Sequence, residues 1–124
     1  MQGENKMKKL MIILLGLTIL TGCQSARFNG NRTGNENQFI MEYRIFNGSD
    51  SQILELEKND ILDIEIVNES GNISVLIEKE DQEVIYSEDK VKNKSFQITI
   101  HEDGQYKVTV TGENAKGSVY FVKK

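Results

Sequence analysis

Apolar and polar residues alternate at a period of two along most of the segment from residue 39 to residue 124. In one clear stretch, Leu62, Ile64 and Ile66 share a face, and the acidic residues between them lie on the other. Because successive side chains of a β-strand point to opposite sides, this alternation predicts strands with one face in water. The sequence predicts about eight such strands: Phe39 to Phe46, Gln52 to Glu57, Leu62 to Ile66, Ile73 to Ile77, Glu83 to Ser87, Phe96 to Ile100, Tyr106 to Val110 and Gly117 to Val122.

Short turn sequences separate these runs. They are Asn47-Gly48, Glu69 to Asn72, Glu80 to Gln82, Asp103-Gly104 and Asn114 to Gly117. Asn-Gly and Asp-Gly pairs tolerate positive φ and favour tight hairpins, so neighbouring strands should be antiparallel. A single flat sheet would leave its apolar face in water, and two packed layers avoid this. We therefore expect residues 39–124 to form an all-β domain, a small antiparallel β-sandwich or jelly roll.

The segment before this domain contains an apolar run. Leu10 to Leu20 follows three lysines, Lys6, Lys8 and Lys9, and precedes small residues. This order is typical of a secretory signal. A helix over the run would be about 16 Å long, roughly half of the hydrocarbon core, so it should not remain as a transmembrane span. We expect residues 1–22 to be a signal peptide.

The only cysteine in the chain directly follows this run. Leu20-Thr21-Gly22-Cys23 resembles the lipobox of bacterial lipoproteins. The resemblance implies that the signal peptidase recognises the first three of these residues and that Cys23 carries a diacylglycerol at the mature N-terminus. Its acyl chains would hold the protein at the extracytoplasmic face of the cell membrane. Met1 to Lys6 resemble an extension upstream of a natural start at Met7, which leaves two candidate start codons.

The lipid site is separated from the predicted domain by residues 24–38. This stretch is rich in Asn and Gly, and Phe28 is its only large apolar residue. Such a composition buries too little surface to offset the entropy of ordering, so residues 23–38 should be a lipidated cysteine and a flexible linker. A Gly-rich coil of this length spans about 20–23 Å, which would lift the domain clear of the lipid headgroups.

The charge of the chain limits its possible partners, and its cysteine count excludes a stabilising disulfide. Residues 23–124 contain 12 Lys and Arg and 18 Asp and Glu. This acidic segment should be repelled by an anionic membrane surface. The basic residues are scattered, without the basic patch and interleaved aromatics of a nucleic-acid binder, so we expect no nucleic-acid partner. A single cysteine excludes an intrachain disulfide, and the fold must depend on its hydrophobic core.

The sequence offers few groups for catalysis. His101 is the single histidine and the single cysteine is the predicted lipid site, so we expect no nucleophile with a base and an orienting group. The carboxylates at Glu55, Glu57, Asp63 and Glu65 occupy predicted outward positions on strands and should be solvated. We therefore expect no enzymatic activity and no cofactor. A carboxylate-dependent hydrolase is the least favoured hypothesis.

Metal binding would depend on acidic turns alone. Zinc and iron sites need sets of His or Cys, which this sequence does not contain. Calcium needs about six to eight oxygens, which the turns Asn68 to Asn72, Glu80 to Glu83 and Glu102-Asp103 could offer. None of these turns has the spacing of an EF-hand. We expect solvated turns and no metal site, with calcium left open as an alternative.

The domain also resembles a class of accessory module. The segments LEKNDILDIEIVNESGNISVLIEKEDQEVIYSE and FQITIHEDGQYKVTVTGENAKGSVYFV are similar in cadence to bacterial pre-peptidase C-terminal domains and related jelly-roll modules. The shared features are an acidic or Gly turn before a strand and a DG-x-Y-x-V-x-V strand that ends near a glycine. The resemblance implies binding or stabilisation beside a catalytic partner. We expect Tyr106 to pack inside the sandwich with its hydroxyl bonded to the backbone.

Several apolar residues point away from the predicted inward stripe. They are Ile40, Phe46, Ile53, Leu76, Ile85 and one of Tyr120 or Val122. Two explanations stay open: these side chains are buried at strand ends and sheet corners, or they form an exposed patch for a partner. The second explanation gives as candidate partner-binding residues Phe46, Ile53, Leu76, Ile85 and Tyr120.

Three hypotheses about function result. The first is a membrane-anchored, extracytoplasmic lipoprotein whose non-catalytic β-sandwich is a protein-binding or structural accessory module at the cell surface. It predicts a contiguous apolar or tyrosine patch on one sheet face. The alternative is a module for a small ligand, calcium or a glycan, which predicts clustered loop carboxylates and a ligand-dependent rise in Tm. The hydrolase hypothesis predicts two carboxylates facing each other in a cleft.

Overall fold

Three long strands form the frame of the computed structural model, which describes residues 25–124. The six strands are β1 (Arg27–Asn35), β2 (Gln38–Leu56), β3 (Ile61–Lys79), β4 (Val84–Glu88), β5 (Lys94–Thr99) and β6 (Gly104–Lys123). All pairs are antiparallel, in the order β1-β2-β6-β3-β4, and β5 also pairs with β3. Within the described residues, no helix is long and apolar enough to cross a membrane. The predicted signal peptide and Cys23 lie outside the described residues.

The three long strands bend near their middles, so that one sheet folds into two facing layers around a common core. A five-stranded half contains β1, β5 and one half of each long strand, at residues 38–46, 61–68 and 115–123. A four-stranded half contains β4 and the other halves, at residues 48–56, 72–79 and 104–112. This arrangement confirms the predicted all-β antiparallel sandwich.

The two ends of the sandwich differ in construction. At the bend end, the three long strands pass from one half to the other, and the connection between β4 and β5 lies beside them, where the Val91 N–H donates to the Ile73 carbonyl at 2.7 Å. The turns at residues 36–37, 57–60, 80–83 and 100–103 lie at the other end, called the open end. There the turns contact one another, since the Asn59 N–H donates to the Ile100 carbonyl at 2.8 Å.

Left-handed backbone conformations occur in all three bends. The φ angle is 123° at Gly48 in β2, 73° at Gly71 in β3 and 150° at Gly117 in β6. Glycine adopts such angles without the steric cost of a Cβ atom. The Asn47 amide joins β2 to β6, because its Oδ1 accepts from the Asn114 N–H at 2.6 Å and its Nδ2 donates to Asn114 Oδ1 at 2.9 Å.

These bends correct three of the predicted turns. The sequence predicts hairpins at Asn47-Gly48, Glu69 to Asn72 and Asn114 to Gly117, but the chain continues through each of them as one strand with an irregular register. Six predicted strands are therefore halves of β2, β3 and β6, and the structure has six strands where the sequence predicts about eight. The turns at Glu80 to Gln82 and before Gly104 do separate strands, as predicted.

The phase of the buried positions changes at each bend. In β2, Phe39 and Met41 are buried before the bend, and Leu54 and Leu56 are buried after it. A shift of one residue moves a strand's side chains to the opposite face, so the bulged bends keep the apolar side chains in the core. The core includes most apolar residues of the alternating runs: Leu62, Ile64, Ile66, Ile73, Val75, Ile77, Ile100, Tyr106, Val108 and Val110, while Phe96 and Ile98 are only half-buried.

The strand β1 occupies most of the predicted linker. Residues 27–35 pair with the first part of β2. The Arg32 guanidinium anchors the strand, since it donates to Asp50 Oδ2 at 2.7 Å and to the Ser51 carbonyl at 2.8 Å and lies 4.8 Å from the centre of the Phe39 ring. Backbone pairing and the contacts of Arg32 therefore order residues 27–35, although their apolar content is low. The prediction of a flexible linker is wrong for these residues.

Candidate functional site

Two of the five candidate partner-binding residues face the core. Phe46 is 3% exposed and packs edge-on against Tyr43 and Phe28, with ring centres 5.4 Å and 5.7 Å apart. The bend turns Phe46 inward, because the register of β2 against β6 shifts on either side of it. Ile85 is half-buried and packs against the core from β4. Phe46 is thus buried at the bend, and Ile85 is partly buried near the start of β4.

Two further candidates lie on the outer face of the four-stranded half. Ile53 is exposed and Leu76 is half-buried, but Lys107 and Thr109 of β6 lie between them. Small hydroxyl side chains cover much of this face, and Ser51 Oγ lies 3.0 Å from Thr109 Oγ1. Ile53 and Leu76 therefore do not form a contiguous apolar patch.

The fifth candidate, Tyr120, is the centre of an apolar patch on the outer face of the five-stranded half. Tyr120 is 39% exposed and lies directly opposite Ile40 in the register of β2 and β6. Val122 is two positions further along β6 on the same face, and both Ile40 and Val122 are half-buried. Side chains directly opposite on neighbouring strands have Cβ atoms about 4.5–5.5 Å apart. We call Ile40, Tyr120 and Val122 the Tyr120 patch.

Acidic residues border the Tyr120 patch. Glu65 of β3 lies opposite Tyr120 on the side away from Ile40, and Glu42 follows Ile40 by two positions on β2. Both side chains are exposed. Asp63 lies opposite Val122, and its Oδ2 is 3.4 Å from Lys124 Nζ. The surface thus has an apolar centre, with Glu42 and Glu65 on its rim and Asp63 paired with Lys124.

The candidate catalytic residues remain on the surface. His101 is exposed in the turn before β6, Glu55 and Glu65 are exposed on β2 and β3, and Glu57 is exposed in the turn that follows β2. Asp63 is half-buried, in part by its contacts with Gln97 and Lys124.

A groove of about 450 Å³ opens at the open end of the sandwich. Its lining includes four carboxylates, those of Glu36, Glu55, Glu57 and Asp103. Asp103 Oδ1 accepts from the Lys58 N–H at 2.7 Å, and Glu55 Oε1 accepts from Gln105 Nε2 at 2.8 Å. These two carboxylates therefore stabilise turns and strand pairing.

Sequence reasoning missed Lys79, which faces inward at the end of β3. It continues the spacing of Ile73, Val75 and Ile77 and is 8% exposed. The alternation along β3 could therefore have predicted that Lys79 faces inward. Its Nζ lies 3.1 Å from Glu102 Oε1. This hydrogen bond raises the pKa of Lys79 and outweighs the opposing effect of burial. The stem covers the end of the core while the ammonium group reaches the surface.

The turns considered for calcium do not converge. Asn68 to Asn72 lies at the bend end, whereas Glu80 to Glu83 and Glu102-Asp103 lie at the open end. The Lys79 ammonium group already supplies a cation beside Glu102. Within residues 25–124, no group of three or more His, Cys, Asp or Glu side chains is placed to hold a metal ion.

Tyr106 adopts the predicted structural role. It is 2% exposed, and its hydroxyl donates to the Glu102 carbonyl at 2.5 Å. This bond ties the start of β6 to the turn that precedes it, much as a tyrosine corner does in immunoglobulin-like sandwiches.

A polar groove of about 460 Å³ lies at the bend end, and sequence reasoning missed it. It is formed where β1, β2, β3 and β6 meet, and its lining includes Asn29, Asn31, Arg44, Glu69 and Lys116. Because the groove depends on β1 being a strand, no pattern along the chain could have predicted it.

Comparisons with known proteins assign no family to this chain. No protein-family model and no curated protein matches the chain. The solved structures that are similar include the pre-peptidase C-terminal domain of collagenase from Bacillus anthracis, with 15% identity and a TM-score of 0.48 over 82% of this chain and 100% of that chain. A second is the periplasmic inhibitor of g-type lysozyme from Aeromonas hydrophila, with 14% identity and a TM-score of 0.48 over 82% of this chain and 90% of that chain. At these identities the similarities carry no argument about function.

Proposed function

We propose that the chain is a lipoprotein anchored at the extracytoplasmic face of the cell membrane, and that its β-sandwich acts without catalysis by binding a partner protein. The observation that carries the proposal is the Tyr120 patch. The first hypothesis requires a contiguous apolar or tyrosine surface on one sheet face, and Ile40, Tyr120 and Val122 lie together on neighbouring strands. The resemblance of Leu20-Thr21-Gly22-Cys23 to a lipobox supports the anchor.

The side chains of the Tyr120 patch indicate which groups a partner surface should present. Tyrosine is enriched among residues that dominate binding energy, because its ring buries a large area and its hydroxyl can accept or donate a hydrogen bond. Glu42 and Glu65 flank the ring and favour basic groups. The partner therefore presents an apolar side chain flanked by Lys or Arg, and its binding weakens as the salt concentration rises.

The lipid anchor is tested by replacing the predicted attachment site. We expect Cys23→Ser to abolish the incorporation of labelled fatty acid and the release of the signal peptide, because the thiol is the only group on this side chain that can accept the diacylglycerol. Ala26→Ser, which introduces the same residue three positions later, should be labelled and processed normally. Mass spectrometry of the N-terminal peptide measures both. Equal labelling of the two variants would contradict the anchor.

The patch is tested by photocrosslinking in intact cells. A photoreactive amino acid in place of Tyr120 should give one reproducible protein adduct, whereas the same group in place of Thr109, on the outer face of the other half, should not. With the purified partner, Tyr120→Ala should weaken binding about tenfold or more, a cost of ~1.4 kcal/mol. An affinity unchanged by Tyr120→Ala, or adducts at both positions, would show that the patch does not bind the partner.

A small-ligand module is the second candidate, and the polar groove at the bend end favours it. Amide and charged side chains of both signs line that groove, as polar ligands such as glycans require. A rise in Tm with oligosaccharides or calcium chloride, together with no adduct at Tyr120, would favour this candidate over protein binding. Hydrolysis of a glycan by the purified protein would instead support the carboxylate-dependent hydrolase.

A further inference from the structure

The folded domain begins only a few residues after the predicted lipid site. Gln24, Ser25 and Ala26 lie between Cys23 and the first residue of β1, Arg27. Even a fully extended chain spans at most about 14 Å over this distance. The headgroup layer is about 5–7 Å thick on each side of the bilayer. Acyl chains on Cys23 would therefore hold the start of β1 within or directly above the headgroups.

The start of β1 lies at the bend end of the sandwich. Arg27 is opposite Asn47 in the register of β1 and β2, and Ala26 lies against Gly48. With lipid on Cys23, the bend end would therefore face the membrane and the open end would point away from it. On the five-stranded half, the Tyr120 patch runs from the middle of the strands toward the open end and stays accessible.

Charge is distributed unevenly between the two ends. The bend end, comprising residues 27, 44–50, 67–73, 89–94 and 111–117, has six basic and four acidic residues. The open end, comprising residues 36–38, 55–61, 79–84, 99–105 and 123–124, has four basic and nine acidic residues. An anionic bilayer thus attracts the end that lies next to the lipid site and repels the far end. The domain as a whole is acidic, and its net charge alone would predict repulsion from an anionic bilayer. Because the basic residues are concentrated at the bend end, that end is not repelled.

An exposed aromatic residue lies at the same end. Phe28 is the second residue of β1 and is 41% exposed, although its ring packs in a T-shaped pair with Phe46. Aromatic side chains favour the boundary between headgroups and acyl chains, and basic side chains around them bind lipid phosphates. Arg27, Arg44 and Lys116 are exposed at this end and can serve that role.

We infer that the bend end is a membrane-contact surface, with Phe28 inserted at the interface of an anionic phospholipid bilayer and Arg27, Arg44 and Lys116 against the phosphates. The inference rests on the proposed lipidation of Cys23. It replaces the picture of a domain held away from the bilayer on a flexible linker. The lipid holds the protein at the membrane, and the bend end sets the orientation of the domain.

The absence of tryptophan from the sequence allows a direct test. Lipidated Phe28→Trp protein is reconstituted in vesicles of phosphatidylethanolamine and phosphatidylglycerol with brominated acyl chains, which quench tryptophan on contact. We expect the tryptophan at position 28 to lose about half of its emission or more. Ile61→Trp, an exposed position at the open end, should keep its emission and serves as the matched control. Equal quenching at the two positions overturns the inference.

Two further measurements complete the test. If Phe28→Trp does not fold, Lys92→Trp on the β4–β5 connection reports on the same end, and its tryptophan should be quenched as well; an unquenched emission overturns the inference. Mass spectrometry of the same sample shows whether Cys23 carries lipid. A lipidated protein without quenching at the bend end overturns only the orientation, whereas a protein without lipid overturns the anchor and the orientation together.

Discussion

Replacing Phe121 by alanine should lower the free energy of unfolding by about 3–5 kcal/mol. Phe121 is fully buried in β6 and stacks on Phe39 of β2, with ring centres 6.1 Å apart and planes inclined by 20°. Both residues lie where the five-stranded half meets the core, so the truncation leaves a cavity that rigid strands on either side cannot fill. Because small domains have total free energies of unfolding of about 5–15 kcal/mol, this loss removes a large part of the stability of the domain.

Urea unfolding followed by circular dichroism measures this loss. The matched control is Tyr120→Ala, since Tyr120 is the preceding residue on the same strand and points outward. A surface substitution of this kind should change the free energy by about 1 kcal/mol or less. If both variants lost the same stability, the assignment of the inward and outward faces of β6 would be wrong. The same control shows that the loss of partner binding in Tyr120→Ala does not come from unfolding.

Alternation along the chain was sufficient to predict the fold class and most of the core. Side chains such as Leu62, Val75 and Val108 are buried as predicted, because a strand with one wet face needs a period of two. The pattern could not distinguish a hairpin from a bend. At Asn47-Gly48 and at Asn114, both structures need residues that tolerate positive φ, and only the pairing between strands decides which one forms.

The candidate site was harder to predict than the core. In a regular β2 strand, the alternation of side chains would point Phe46 outward. The bulge at the bend turns it into the core instead. Tyr120 and Ile40 are 80 positions apart in the sequence, so only the register of β2 and β6 places them together. Strand β1 was missed because its order comes from backbone pairing and from Arg32, and neither depends on apolar composition.

The bends themselves are the second place where a small change should have a large effect. Gly117→Ala adds a Cβ atom that would overlap the carbonyl oxygen of Val67 on β3, at a residue whose φ is 150°. The backbone strain costs about 1–3 kcal/mol. Separating β6 from β3 to make room adds about 1–3 kcal/mol, as other overpacked sites do. Since both halves of the sandwich share these strands, the loss should affect the whole domain.

Gly48→Ala separates these two contributions. Its φ of 123° is also positive, but the nearest atom to an added Cβ is the Ala26 Cβ at 3.6 Å, so only the backbone strain applies. Urea unfolding should therefore rank Gly117→Ala as less stable than Gly48→Ala by about 1–3 kcal/mol. Equal losses would mean that β3 and β6 separate freely at the bend. A loss confined to Gly117→Ala, with increased binding of a hydrophobic dye, would instead show that close contact of β6 with β3 at the bend holds the two halves together over their core.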